Sequence, residues 1–186
     1  TKAEFDAAVD AGDWDNLLRK VPVKAGDFFY VPAGTLHALG AGVLALETQQ
    51  SSDVTYRVYD FDRVDAKTGE LRELHLADAK NVTTVPFVPE QPERKSAQYA
   101  GLNVTTLVEA PYFNVYKWTL DGRATLDARD PYLLGTVIDG EFDMTVFGVT
   151  YHLEKGKSFI LPHDIEAWTL QGDATLIVST PGPLSK

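Results

Sequence analysis

The sequence contains no cysteine, a single methionine and no block of basic residues. Without cysteine, disulfide bonds and cysteine-ligated zinc or iron–sulfur sites are excluded. No apolar run approaches the roughly 18–20 residues of a membrane-spanning helix, so no membrane partner is expected. A net charge of −10 and a pI of about 4.7 argue against nucleic acid as a partner. The 186 residues, 44% of them hydrophobic, suffice for a buried core in one large or two small domains.

A short helical segment is predicted at the start of the chain. Thr1 and Glu4 have the spacing of a capping box, apolar residues follow at helical spacing, and Gly12 suits a helix C-cap. A second short helical turn is predicted over 13–18, and another helical stretch over 71–80. These helices are expected to pack on the outside of a sheet.

From Val21 onward the pattern is typical of β-strands, and one turn stands out. In Val31–Gly34 the proline fixes φ and the glycine permits a positive φ, which predicts a rigid turn between the strand-like runs 28–31 and 36–39. Alternation places His37 on the face opposite Leu36. A rigid turn of this kind can hold an imidazole for a metal ion.

Two polar segments follow, and pattern alone leaves each open. The run 43–46 is wholly apolar and ends at Glu47, which either lines a site or solvates a loop. Residues 56–63 alternate aromatic with charged side chains, as a site strand or a plain amphipathic edge strand would. Lys67 and Arg63 could reach an anion, although solvated surface charges are the preferred interpretation.

The second half of the chain predicts an all-β domain. A proline-rich stretch within 86–98 marks a linker, and 99–186 alternates short strands with turns such as 121–122, 139–140 and 147–148. A β-sandwich or small barrel follows from this pattern. His75 is predicted to be a packed or capping histidine, and His152 and His163 are predicted to be structural or solvent-facing.

An internal repeat links the two halves. Residues 23–32 align with residues 153–162 at an offset of 130, each with a glycine followed after five residues by a proline. Two copies of one β-unit are the simplest explanation. The position that matches His37 is Ala167, so only the first copy is predicted to be a site.

The spacing of Gly26, Pro32, Gly34 and His37 resembles the second motif of the cupin superfamily, in which the histidine is a metal ligand. The chain also resembles a short bacterial type I mannose-6-phosphate isomerase. This resemblance lies in three segments, Glu47–Asp53, Tyr56–Asp60 and Arg72–His75, and also in residues 115–118 and 160–162. The resemblance covers essentially the whole chain and matches the C-terminal part of that family.

The resemblance implies an all-β fold of two cupin-type (jelly-roll) units, the first incomplete, after the short helical segment. The implied domains are 1–85, the C-terminal half of a catalytic cupin unit, a linker at 86–98, and a second, metal-free cupin-like unit at 99–186. The implied activity is a zinc-assisted, cytoplasmic interconversion of mannose 6-phosphate and fructose 6-phosphate through an enediol.

The resemblance also assigns roles to single residues. Arg57 matches the active-site arginine, Glu47 the active-site glutamate and candidate base, and Asp53 a substrate-binding aspartate. Glu47 could instead only bind sugar hydroxyls. His37 is the expected ligand of one zinc ion, and the other ligands are expected upstream of this chain. The chain is therefore expected to be an N-terminally truncated piece that binds zinc weakly or not at all and is inactive by itself. It is also expected either to be less stable than its length suggests or to self-associate through its incomplete first unit.

Two other functions are kept open. One is a non-catalytic sugar- or protein-binding cupin module, and the other is a different metal-dependent cupin enzyme. The density of matched residues between 37 and 57 favours the isomerase, with a sugar phosphate as its partner.

Overall fold

The computed structural model describes residues 1–52, 54–127 and 131–185. The chain forms two compact units. The first comprises Thr1–Ala45 with Ser51–Glu90, and the second comprises Leu46–Gln50 with Gln91–Lys186. Within the described ranges, no helix combines the length and apolarity that crossing a membrane requires.

Three helices belong to the first unit: α1 (Lys2–Ala11), α2 (Trp14–Leu17) and α3 (Leu76–Val82). The predicted capping box at Thr1 and Glu4 is confirmed, as is the C-cap at Gly12, whose φ is 66°. Phe5 and Val9 form the buried face of α1, at 6% and 3% exposure. The stretch predicted as helical over 71–80 becomes helix only from residue 76, and it continues to residue 82.

The strands predicted in the first unit are not observed as hydrogen-bonded strands in its described residues. One isolated bridge joins Val64 to Leu71, and the segments 28–31, 36–39, 43–46 and 56–63 form no ladder. An extended segment becomes a strand only where a neighbour pairs with its backbone groups. Phe29 and Leu39 are accordingly more than half exposed and Leu44 is fully exposed. A cupin-type first unit stays a prediction.

The second unit is an antiparallel β-structure, which confirms the all-β, cupin-like prediction for this part of the chain. Seven strands form one sheet in the order β1-β2-β3-β7-β4-β5, with β6 paired to β4. The strands are β1 (Lys95–Tyr99), β2 (Leu102–Glu109), β3 (Phe113–Asp127), β4 (Tyr132–Val146), β5 (Val149–Glu154), β6 (Ser158–Pro162) and β7 (Ala167–Pro181). Strand β1 overlaps the end of the predicted linker.

Two of the turns predicted in this unit are instead bends within long strands. Strand β3 runs on through Gly122, which pairs with Gly172 of β7, and β4 runs on through Gly140. Gly140 has a φ of 73°, and a Cβ there would lie 2.1 Å from the carbonyl oxygen of Asp173. Glycine therefore lets each strand bend without ending. The predicted turn at 147–148 is confirmed between β4 and β5.

The core of the second unit is apolar and closely packed. Leu102, Leu170 and Leu176 have no exposed surface, and the rings of Trp118 and Trp168 stack at 5.9 Å. Aromatic and aliphatic side chains thus pack together on the buried face of the sheet. Because their burial removes apolar surface from water, they supply most of the stability of the second unit.

The internal repeat is visible in the backbone as two matching turns. Gly26 and Gly156 both have a φ of 89°. The amide of Asp27 donates to the carbonyl of Lys24 at 3.1 Å, and its counterpart, the amide of Lys157, donates to Glu154 at 3.0 Å. Three residues after each proline the amide donates back to the proline carbonyl, at 3.2 Å in the first copy and 3.4 Å in the second. Sequence similarity between the copies therefore extends to local structure.

Candidate functional site

His37 follows a turn that is fixed to the rest of the first unit. Gly34 adopts a φ of 83°, and a Cβ there would lie 2.7 Å from Oγ1 of Thr84. The amide of Thr84 also donates to the Gly34 carbonyl at 2.9 Å. The predicted rigid turn is thus confirmed, because only glycine fits both the positive φ and the close approach.

The imidazole of His37 is exposed and held by a single backbone contact. Its Nδ1 lies 2.9 Å from the carbonyl oxygen of Thr35. A carbonyl can only accept, so Nδ1 carries the proton and the lone pair of Nε2 points away from this contact. This is the tautomer in which a histidine can bind a metal ion through Nε2, with the backbone carbonyl orienting the ring.

A zinc site needs three or four protein ligands. In 1–52, 54–127 and 131–185 no three histidine or acidic side chains gather in a way that could hold a metal ion. His37 therefore fits zinc as one ligand, and the described residues do not provide a complete set.

Arg57 lies in the first unit, where its backbone is paired with His75. The Arg57 amide donates to Nδ1 of His75 at 3.1 Å, and the His75 amide donates to the Arg57 carbonyl at 2.7 Å. The guanidinium is held as well, because its Nη1 donates to the carbonyl of Glu73 at 3.2 Å. With 26% of its side chain exposed, Arg57 is fixed at its base and still open to solvent.

Asp60 is a buried carboxylate surrounded by three guanidinium groups. It is 7% exposed and accepts from Nε of Arg72 and Nη2 of Arg63, both at 2.6 Å, while Nε of Arg57 lies 4.0 Å away. The hydrogen bonds from Arg72 and then Arg63 hold the pKa of Asp60 well below its usual range. The carboxylate therefore stays charged and ties Arg57, Arg63 and Arg72 into one cluster.

The turn after Asp60 is strained. Phe61 and Asp62 have φ values of 54° and 52°, and the amide of Arg63 donates to the Asp60 carbonyl at 3.1 Å. Positive φ is unusual for a phenylalanine, so the contacts around the turn must stabilise it. The ion pairs to Asp60 and the ring contact between Tyr59 and Phe61, at 4.9 Å, do so.

Glu47 belongs to the second unit. It lines a cavity of about 300 Å³ together with Leu46, Thr48, Gln49, Leu134, Thr136, Ile177 and Ser179. Glu47 is exposed there, among hydroxyl and amide groups that could bind a polar ligand. The cavity supports a site-lining position for Glu47 over loop solvation alone. Asp53, predicted to bind substrate, lies outside the described residues.

The structure brings Arg57 together with Asp60 and His75, whereas it records no hydrogen bond or ion pair between Arg57 and His37 among the described residues. Arg63, considered for anion binding, is engaged by Asp60. The backbone of Lys67 is hydrogen-bonded to Asp65, and its side chain lies at an exposed turn. The roles assigned to His37, Glu47, Asp53 and Arg57 stay predictions.

Sequence reasoning missed Asp60 as the centre of this cluster. The sequence does indicate such a cluster, because arginines stand three residues before and three residues after Asp60, and residues at that spacing meet across a tight turn.

His75, predicted to be packed or capping, is the first residue before α3 and packs beside Tyr56 with ring centroids 6.2 Å apart. His152 bonds to Asp143 at 2.9 Å, which raises the pKa of its imidazole.

Comparisons with known proteins agree on one family. Residues 103–181 match the family model of the mannose-6-phosphate isomerase cupin domain. Over 179 residues, 96% of this chain, the sequence is 50% identical to mannose-6-phosphate isomerase ManA of Bacillus subtilis strain 168. Nearly the whole chain is thus similar to mannose-6-phosphate isomerases. The enzyme of that name from Streptococcus mutans is 48% identical over the same length.

The structural likeness to a mannose-6-phosphate isomerase is equally close. The crystal structure of the mannose 6-phosphate isomerase from Bacillus subtilis superposes with a TM-score of 0.91, at 45% identity and over 96% of this chain. The chain spans slightly more than half of these relatives: 56% of either curated sequence and 57% of the crystallised chain.

Proposed function

We propose that this chain is part of an aldose–ketose isomerase that interconverts mannose 6-phosphate and fructose 6-phosphate. The similarity to curated isomerases over 96% of the chain is the observation that carries the proposal. The reaction moves a proton between C1 and C2 of the sugar through an enediol, so it needs a base and stabilisation of the charge that develops on oxygen.

Arg57 is proposed to stabilise that charge. Its guanidinium stays protonated, so it cannot be the base, but its N–H groups can bind an enediolate oxygen. The engagement of Nη1 by Glu73 and the backbone pairing to His75 support this role, because a donor fixed in advance need not reorganise during the reaction. Glu47 is proposed as the base, or as a group that binds sugar hydroxyls, and Asp53 as a further substrate contact.

Zinc is proposed as the cofactor, with Nε2 of His37 as one ligand and the remaining ligands outside this chain. Bound zinc would supply a Lewis acid for the sugar oxygens. The support for this proposal is the tautomer of His37, since the Thr35 carbonyl leaves Nε2 available.

A coupled assay for fructose 6-phosphate formation tests the proposal directly. The intact protein, with the zinc ligands that this chain does not supply, should convert mannose 6-phosphate, and Arg57→Ala should lower its turnover by at least about 100-fold while leaving its zinc content unchanged. Lys155→Ala, which removes a surface cation from the second unit, is the control and should behave as the unsubstituted protein. A protein that binds mannose 6-phosphate in a titration but never isomerises it would be the non-catalytic module instead.

Self-association through the first unit is proposed as well. Leu39 and Leu44 are 56% and 100% exposed, Val43 is 38% exposed, and their backbone forms no ladder. Exposed apolar runs outside any strand ladder favour pairing with another chain. Sedimentation velocity over a concentration series should show a dimer that Leu44→Lys weakens, and a concentration-independent monomer would contradict this.

A further inference from the structure

Arg57 and His75 are bound to each other twice through positions separated by 18 residues. Both backbone groups of Arg57 are used: its carbonyl accepts from the His75 amide at 2.7 Å, and its amide donates to the His75 side chain at 3.1 Å. The second bond is unlike a strand ladder, because an imidazole nitrogen takes the place of a carbonyl. The acceptor for the Arg57 amide is therefore supplied by the His75 side chain.

The direction of this bond fixes the state of His75. A backbone amide can only donate, so Nδ1 must present a lone pair and the ring proton must sit on Nε2. The ring is neutral in this arrangement. Its other nitrogen lies 4.0 Å from the exposed carboxylate of Glu73.

The segment 73–75 also contacts the guanidinium of Arg57. Nη1 donates to the carbonyl of Glu73, two residues before His75, at 3.2 Å. The segment 73–75 thus contacts Arg57 at its amide, its carbonyl and its guanidinium. The carboxylate of Asp60, already bonded to Arg63 and Arg72, adds a more distant contact at 4.0 Å.

We propose that His75 is a positioning residue for Arg57, accepting the Arg57 amide proton at a neutral Nδ1 and so holding the guanidinium in a fixed place. The catalytic consequence rests on the proposed isomerase function, whereas the positioning itself does not. A small displacement of a catalytic donor can cost a large factor in rate, so the loss should fall on kcat more than on KM.

Two substitutions separate the Nδ1 acceptor from the bulk of the ring. In His75→Asn the side-chain oxygen lies where Nδ1 was and can still accept from Arg57, whereas His75→Ala removes the acceptor. We expect hydrogen exchange of the Arg57 amide to accelerate by about 10-fold or more in His75→Ala and to stay near the original rate in His75→Asn. Relaxation of the Arg57 Nε–H group should show added side-chain motion in His75→Ala alone.

The activity measurements use the same variants. We expect kcat to fall by about 10- to 100-fold in His75→Ala with little change in KM, and to recover in His75→Asn. His163→Asn, at an exposed histidine of the second unit, is the matched control and should change neither readout.

The outcomes distinguish the two proposals. An Arg57 amide that exchanges equally in His75→Ala and the unsubstituted protein would overturn the positioning role. Faster exchange with kcat unaltered would overturn its catalytic consequence. No isomerase activity in the unsubstituted intact protein, loaded with zinc, would contradict the proposed function, and the exchange and relaxation measurements would then still decide whether His75 positions Arg57.

Discussion

The two copies of the repeated segment have the same turns and different surroundings. Residues 23–32 and 153–162 share the φ of their glycines and the hydrogen bonds of both turns. In the second copy, Ser158–Pro162 form a strand paired to Tyr132–Thr136, whereas the first copy lies in no ladder. The first copy is followed by His37 and the second by Ala167. Neighbouring residues therefore determine the geometry of the turn. Whether the segment forms a strand, and whether it can bind a metal ion, depends on the residues around the turn.

The largest difference between the two copies is expected in zinc binding and turnover, at the matching positions 37 and 167. His37→Ala removes the proposed zinc ligand, so zinc content and turnover of the active protein should each fall at least about 100-fold. Ala167→His places an imidazole at the matching position of β7, where we expect no zinc binding. Metal analysis and the isomerase assay on both variants measure the difference. Zinc retained in full by His37→Ala would contradict the assignment of the ligand.

The next effect concerns the matched phenylalanines Phe29 and Phe159. Phe159 packs against the core with its ring 6.3 Å from that of Phe142, whereas Phe29 is 55% exposed. Phe159→Ala should lower the free energy of unfolding by about 3 kcal/mol. Phe29→Ala should change it by less than about 0.5 kcal/mol. Denaturant unfolding measures both, and equal losses would show that residue 29 is buried in solution.

A smaller loss of stability is expected when either of the two matched glycines is replaced by alanine. Gly26 and Gly156 both have a φ of 89°, and a Cβ at either position meets nothing within 4 Å. Alanine there is strained only by the backbone, at about 1–2 kcal/mol in each copy. Gly40→Ala, with no positive φ and open space around it, is the control. Thermal unfolding of the three variants should give similar losses for the two turns, and a loss in only one would break the similarity between them.

The effects of pH have opposite signs in the two units. The pKa of Asp60 is lowered from 3.8, chiefly by Arg72 and then Arg63, so its contribution to stability is complete above that value and is lost on acidification through the lowered pKa. The pKa of His152 is raised from 6.5, chiefly by Asp143, so its contribution is complete below 6.5 and is lost as the pH rises through the raised value.

Asp60→Asn and His152→Asn test these two signs. Thermal unfolding of Asp60→Asn should differ most from the unsubstituted protein near neutral pH and converge with it in acid. His152→Asn should differ most below pH 6.5 and converge with it in alkali. The opposite order for either residue would show that its partner contacts do not persist in solution.

Several features followed from the sequence because their physical causes are local. The capping box of α1, the turn at Gly34 and the turn at Gly156 each depend on a few neighbouring residues. The alternation of the second half was enough to predict an all-β unit. The family resemblance is confirmed by the comparisons, and the roles that it implies for Arg57 and His37 stay predictions.

Other features were decided only by tertiary structure. Gly122 and Gly140 have the composition of turns, yet they bend strands that continue, because β7 offers paired backbone on both sides of the bend. Segments 28–31 and 36–39 have the pattern of strands, yet they form none without a neighbour for their backbone groups. The contacts of Asp60 and His75 with Arg57 join residues up to 18 positions apart. Local sequence therefore determined the turns and the first helix, whereas strand pairing and the surroundings of Arg57 depended on which distant groups the fold brought within hydrogen-bond distance.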